Sequence, residues 1–204
     1  MKTLFLILSA VITVGSVLPY VWDILKGTTK PNIVSWITWT LLTGIATAAE
    51  IAAHEYVTAI FTGAAVLETA IIVVLGLRHG YVKYTTFDVV CQIAAIVGIL
   101  LWQLFNSPAI GVVGAVLIDF VGALPTIRHS WKAPGEETWP TYALAALGGA
   151  LAIIALTDYN WISLPYAVYI IFINIILSFI IILRNKTMRT DDIRGDFARG
   201  EERQ

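Results

Sequence analysis

One stretch of this sequence occurs twice. Leu18-Pro19-Tyr20-Val21-Trp22-Asp23-Ile24-Leu25-Lys26, followed by Pro31 and then Ser35-Trp36, is answered 106 residues later. The second copy reads Leu124-Pro125-Thr126-Ile127-Arg128-His129-Ser130-Trp131-Lys132, followed by Pro134 and then Thr141-Tyr142. At that offset Leu-Pro falls on Leu-Pro, Lys26 on Lys132, Ser35 on Thr141 and Trp36 on Tyr142. A repeat at a fixed period constrains the fold before any single element does. In each copy an apolar run ends near a proline, passes a short polar loop and enters a further apolar run. The pattern predicts a duplicated helix–loop–helix.

The runs around the repeat have membrane length. A hydrophobic fraction of 58%, a charged fraction of 13% and a mean hydropathy of +0.80 lie far from soluble averages. Seven runs close to the roughly 20 residues that a bilayer core asks of a helix can be cut out, at about 3–24, 33–53, 57–77, 86–105, 108–128, 139–157 and 161–183. A soluble helical bundle would need polar faces at helical period, which these runs lack. The first run is longer than the apolar core of a signal peptide, carries Pro19 and Trp22 and belongs to the repeat, so it reads as a span. Cys91 is the one cysteine, which excludes an internal disulfide, and no Cys/His cluster has metal-ligand spacing.

Charge gives the orientation. With seven spans, twelve of the thirteen basic residues, among them Lys26, Lys30, Arg78, Lys83, Arg128, Lys132 and those of the tail, fall on one side, and only Lys2 falls on the other. The opposite loops carry Glu55 and Asp158. The positive-inside rule then puts the N-terminus outside and the C-terminus in the cytoplasm. The duplication divides the chain into a first triple-helix repeat (1–80), a linker helix from Phe87 to Phe105 (within 81–106), a second triple-helix repeat (107–186) and a cytoplasmic tail (187–204). A three-helix unit joined directly to its copy would be inverted, and one inserted helix restores the orientation. The expected fold is therefore an all-α membrane protein of seven transmembrane helices, two parallel three-helix repeats joined by a linker helix. Transporters built on such parallel repeats place their substrate site at the repeat interface near the midplane.

The repeated stretch resembles the PQ-loop signature of the SWEET, SemiSWEET and cystinosin-type transporters. That signature is an apolar residue and Pro near the cytoplasmic end of a repeat's first helix, a basic residue, a polar loop, and Ser at the next helix start. Leu18-Pro19, Lys26 and Ser35, and again Leu124-Pro125, Lys132 and Thr141, follow it. The resemblance covers about residues 1–186 and implies the 3+1+3 architecture, with transport by alternating access. The defining glutamine is replaced by Tyr20 and Thr126. The Asn and Trp that line the sugar site in SWEET transporters would fall near Ala64 and Ile170, and near Ala48 or Ala49 and Ile154, and neither is retained.

Polar residues in mid-span are the sharpest functional signal, because a charge there costs several kcal/mol. Glu68 lies in the middle of the third run, and the repeat offset places Asn174 at the same position in the seventh. Asp119 lies in the middle of the fifth, with Thr13 as its counterpart in the first. At about 1.5 Å of rise per residue, the four fall within roughly a turn of one depth. They are the candidate site: Asn174 and Thr13 exchange hydrogen bonds with a small polar ligand, and Glu68, Asp119 or both bind a proton or a cationic group. The plainer alternative is a protonated acid that ties two helices together. Pro19 and Pro125 each remove a backbone hydrogen bond near the cytoplasmic end of a span and are the hinge or gate candidates, with a static kink as the alternative.

The remaining polar residues read more simply. Glu50, Asp158, Glu136 and Glu137 are expected to be solvated, while Gln92 and Gln103 are expected to form helix–helix hydrogen bonds. Gly122, Gly148 and their small neighbours let helices approach. Trp36, Trp39, Trp102, Trp131, Trp139 and Trp161 suit an interfacial aromatic belt. An enzyme is not expected: His54 lies at one face and His79 and His129 at the other, there is no Ser–His pairing, and the last span has no Schiff-base lysine before Lys186. The expected function is transport of a small polar metabolite (sugar, amino acid or amine), with protons as a potential partner. The alternative is a non-transporting receptor or accessory protein on the same fold. No metal, cofactor or nucleic acid is implied. The bilayer is the expected partner, and a homo-oligomer stays open. Compact loops and the lack of a targeting extension lean toward a prokaryotic plasma membrane.

Overall fold

The computed structural model describes every residue except 53, 55, 80–84, 103, 105–107, 160–163 and 202–204, and gives no side chains for 49, 50, 52, 57, 58, 102, 108–112 and 191–201. Glu55, Lys83, Gln103, Phe105, Trp161 and Arg203, and the side chains of Glu50, Trp102, Arg194 and Arg199, thus lie outside the described residues. The described chain is all-α: α1 (Lys2–Gly15), α2 (Val17–Leu25), α3 (Ile33–Ala52), α4 (Tyr56–His79), α5 (Thr86–Trp102), α6 (Pro108–Lys132), α7 (Trp139–Ala155) and α8 (Leu164–Glu201), with a 3-10 turn at Pro134–Glu136.

Each apolar run yields a helix, and the first yields two. Ser16 interrupts it, three residues before Pro19, whose ring cannot extend the ladder of the preceding turn. Pro125, by contrast, lies inside the unbroken α6, so the two equivalent prolines do different things to their helices. Gly27, at φ 73, stops α2, and the amide of Thr28 reaches back to the Asp23 carbonyl at 3.0 Å. At the start of α5, Asp88 accepts from both the amide and the hydroxyl of Thr85 at 2.8 Å. The segment expected to form the tail, 187–204, continues α8 as helix to Glu201.

Among the described residues, three helices are long and apolar enough to cross a membrane: Lys2–Leu25 with α1 and α2 taken together, Ala59–His79, and Leu164–Thr190. Ile33–Ala48, Thr86–Leu101 and Trp139–Ala155 are apolar but shorter. The 17 residues of α7 span about 25 Å at 1.5 Å per residue.

Polarity runs inside out. Leu18, Val11, Phe172 and Phe179 are each more than 60% exposed, whereas Ser9, Ser16, Ser35, Thr38 and Ser130 are fully buried. In water such a surface would aggregate, but against lipid tails it carries no penalty. Trp22, Trp131 and Trp139 are exposed. Trp36 is not part of any belt: it is 3% exposed and turned into the core.

Packing follows the repeat. In the first half α4 is the middle helix, packed on both α1–α2 and α3, and in the second half α8 packs likewise on both α6 and α7. The halves meet where α1 packs on α7 and α3 packs on α6, while α5 lies against α6 and α3. Glycine sets the distance at both crossings. A Cβ at Gly148 would meet the Thr13 hydroxyl, and one at Gly122 would meet the Thr38 side chain. Thr38 also donates to Gln92 Oε1 at 3.0 Å, which is the helix–helix bond expected of that glutamine.

Candidate functional site

A cavity of ≈ 90 Å³ lies between the two halves. Thr13, Glu68, Asp119 and Asn174 all line it. Its walls repeat the sequence period: Thr13 and Asp119, Trp36 and Tyr142, Trp39 and Ala145, and Glu68 and Asn174 are all lining residues, each pair 106 positions apart. Helical stripes supply the rest. On α8, Tyr166, Ile170, Ile173, Asn174 and Leu177 recur at the three-and-four spacing of one helix face.

Both carboxyls are buried, Glu68 at 6% and Asp119 at 3% exposure, and each has hydroxyl partners. Tyr169 donates to Asp119 Oδ2 at 2.7 Å and Tyr166 lies 3.3 Å from Oδ1. Ser16 Oγ lies 2.5 Å from Glu68 Oε1 and 2.8 Å from the Thr13 carbonyl. A hydroxyl has one hydrogen, so the Glu68 carboxyl and the Thr13 carbonyl compete for that of Ser16. Ser16, Tyr166 and Tyr169 did not stand out in the sequence. Tyr166 was reachable by stepping back from Asn174 in fours, through Ile170. Nothing in the sequence marked Ser16 or Tyr169.

Three buried polar groups of the lining have no partner among the described residues: Thr13 Oγ1, Thr141 Oγ1 and the Trp36 indole nitrogen. Native proteins seldom leave such groups unpaired, since each costs about 1–3 kcal/mol. A cavity needs about 10–15 Å³ to hold one water, so this one has room for several waters or a small ligand.

One end of the cavity is plugged. Tyr20 and Trp36 meet edge to face at 5.1 Å, and Tyr142 stacks on Trp36 at 6.2 Å. Behind them stands Glu137. It was expected to be solvated, but it is 6% exposed and accepts from Tyr20 at 2.7 Å and from Tyr142 at 2.8 Å, both on Oε2. The reason lies in the short 3-10 turn, which folds the loop under the helix ends rather than out into solvent. Burial pushes the Glu137 carboxyl up to about 8, against the pull of the two tyrosine hydroxyls. Its other oxygen lies 4.0 Å from His129 Nε2. Burial holds His129 below its usual value, with the nearby Glu136 and Asp88 acting the other way.

The two loops are also tied to each other. Thr138 donates to Asp23 Oδ2 at 2.8 Å and shares a 2.6 Å hydrogen bond with Thr29, the Lys30 amide donates to the Glu136 carbonyl at 2.9 Å, and the Lys30 ammonium pairs with the Glu136 carboxylate. Pro19 and Pro125 do not line the cavity. Past Pro125, the amide of Thr126 turns to Ser35 Oγ at 3.2 Å, which joins the proline segment of one half to the motif serine of the other.

The fold and the site define a class: an all-α protein with helices fit to cross a membrane, built round an internal cavity lined by both halves of a duplicated chain. Compared with protein-family models, with curated proteins and with solved structures, the chain matches none.

Proposed function

We propose that the protein is a membrane transporter resembling the PQ-loop and SWEET-like carriers, which moves a small polar metabolite by alternating access. In this reading seven spans form two parallel three-helix units joined by α5, with the N-terminus outside and the C-terminus in the cytoplasm. The observation that carries it is the cavity itself, whose lining pairs residue with residue across the repeat interface. The middle positions of α4 and α8 support the two units. The plug and the tied loops are then the closed cytoplasmic gate. Opening it means parting Tyr20 from Glu137 and Lys30 from Glu136, contacts that all run between the units. Pro19 and Pro125 flank that gate and supply the flexure. Glu68, beside Ser16, is the coupling group, and Asp119, Asn174 and Thr13 contact substrate.

The test is flux in liposomes that contain a pH-sensitive dye. Pools of sugars, amino acids and amines are offered to the wild type and to Glu68→Gln. Solute-dependent flux with acidification that the substitution abolishes is the expected result. Flux unchanged by the substitution reduces Glu68 to a structural hydrogen bond. Ligand-induced stabilisation with no flux from any pool replaces transport with a receptor.

A further inference from the structure

We infer that the cavity takes a small organic cation, an amine or quaternary ammonium compound with no acidic group of its own, held by Glu68 and Asp119 among the surrounding aromatic rings. This rests on the reading of the cavity as a substrate site and narrows the substrate to one chemical class.

Charge comes first. The lining holds two carboxyl groups, and none of its described residues is Lys, Arg or His. A ligand bearing a carboxylate, such as an amino acid, would bring a third acid into a site with no counter-charge, a repulsion that selects against it. An ammonium group answers the two acids directly.

Polar bookkeeping argues against a sugar. A sugar presents a hydroxyl at nearly every carbon and needs as many free partners. Here Thr43 and Thr69 spend their hydroxyl hydrogens one turn back, on the carbonyls of Trp39 at 2.7 Å and Ala65 at 2.9 Å. One of the two Asn174 amide hydrogens goes the same way, to the Ile170 carbonyl at 2.9 Å. Much of the remaining wall is apolar or aromatic, with Trp36, Trp39, Phe61 and Tyr142 among its rings. Ring π-systems attract cations, above all desolvated ones, and quaternary ammonium groups are bound by such aromatic surroundings. The unpartnered hydroxyls of Thr13 and Thr141, both more than nine-tenths buried, add acceptors for an ammonium N–H or for a ligand hydroxyl.

The experiment is isothermal titration of the purified full chain in lipid nanodiscs with four probes: choline, its neutral carbon isostere dimethylbutanol, glycine betaine and glucose. Choline is expected to bind, and the isostere and betaine to bind about tenfold or more weakly, the scale of one lost charge contact. Glu68→Gln and Asp119→Asn are each expected to weaken choline by a similar factor. The isostere comparison on the wild type stands even if a variant fails to fold. Equal binding of choline and isostere, tighter binding of glucose, or no choline binding overturns the inference. The same protein in liposomes separates the two readings. Choline binding without flux keeps the cation site and removes transport, while glucose flux without choline binding keeps transport and removes the cation site.

Discussion

Lys30 and Glu136 stand at the same position in the two copies of the repeat, 106 residues apart, and they pair with each other. One copy supplies a base and the other an acid, so a duplication has become a clasp across its own axis. About a third of each side chain remains exposed, which limits the pair to about 0.2–1 kcal/mol. Lys30→Glu is expected to lower the melting temperature by a few degrees, at about 2–4 °C per kcal/mol for a chain of this size. The double reversal Lys30→Glu with Glu136→Lys should recover most of that loss. A double variant as unstable as the single one would show that the attraction is not what holds the loops.

Tyr20 and Tyr142 donate to one oxygen of a buried acid, so each depends on the other's presence. Tyr20→Phe and Tyr142→Phe should each cost about 1–3 kcal/mol, the scale of a buried group left underpaired. The double variant should depart from the sum of the singles, as members of one network do. Thermal unfolding of the three variants in detergent checks it, and strict additivity would mean that the tyrosines act independently.

Glu137 also sets a pH dependence. Its folded value is about 8 against an ordinary 4.5, so between those values the folded chain holds a proton that the unfolded chain has released. Stability then falls as pH rises. The contribution is complete below about pH 4.5, declines across the window, and is gone above about pH 8. Glu137→Gln cannot titrate and is expected to flatten the melting temperature across that range. A variant with the wild-type slope would place the titrating group elsewhere.

Two glycines hold the halves together and a third does not. Gly148→Leu drives a side chain into Thr13, and Gly122→Leu drives one into Thr38. Overpacking of this kind costs about 1–3 kcal/mol or more. Around Gly44 in α3 nothing lies within 4 Å of an added Cβ, so Gly44→Ala should stabilise by up to about 1 kcal/mol through helix propensity. Melting curves of the three variants that rank in any other order would contradict these crossings.

The helices, their approximate ends and the correspondence between Glu68 and Asn174 or between Asp119 and Thr13 could be read from the chain alone. Each depends on something one-dimensional, either the length of an apolar run or an offset of 106 residues. The depth of those four side chains follows from counting rise along a helix. Which way a helix is rotated, and which neighbour it meets, cannot be counted in that way. Trp36 suits a lipid interface by its place near a helix end, yet the packing of α3 against its neighbours turns it into the cavity. Glu137 stands in a loop beside another acid and looks solvated in sequence. Only the 3-10 turn and two tyrosines, 117 and 5 residues away, make it a buried latch. Asp119 found partners in Tyr166 and Tyr169 because α8 packs on α6. Long-range pairing of polar groups is settled by three-dimensional packing, where each buried hydrogen-bonding group must find a partner from whatever element lies beside it.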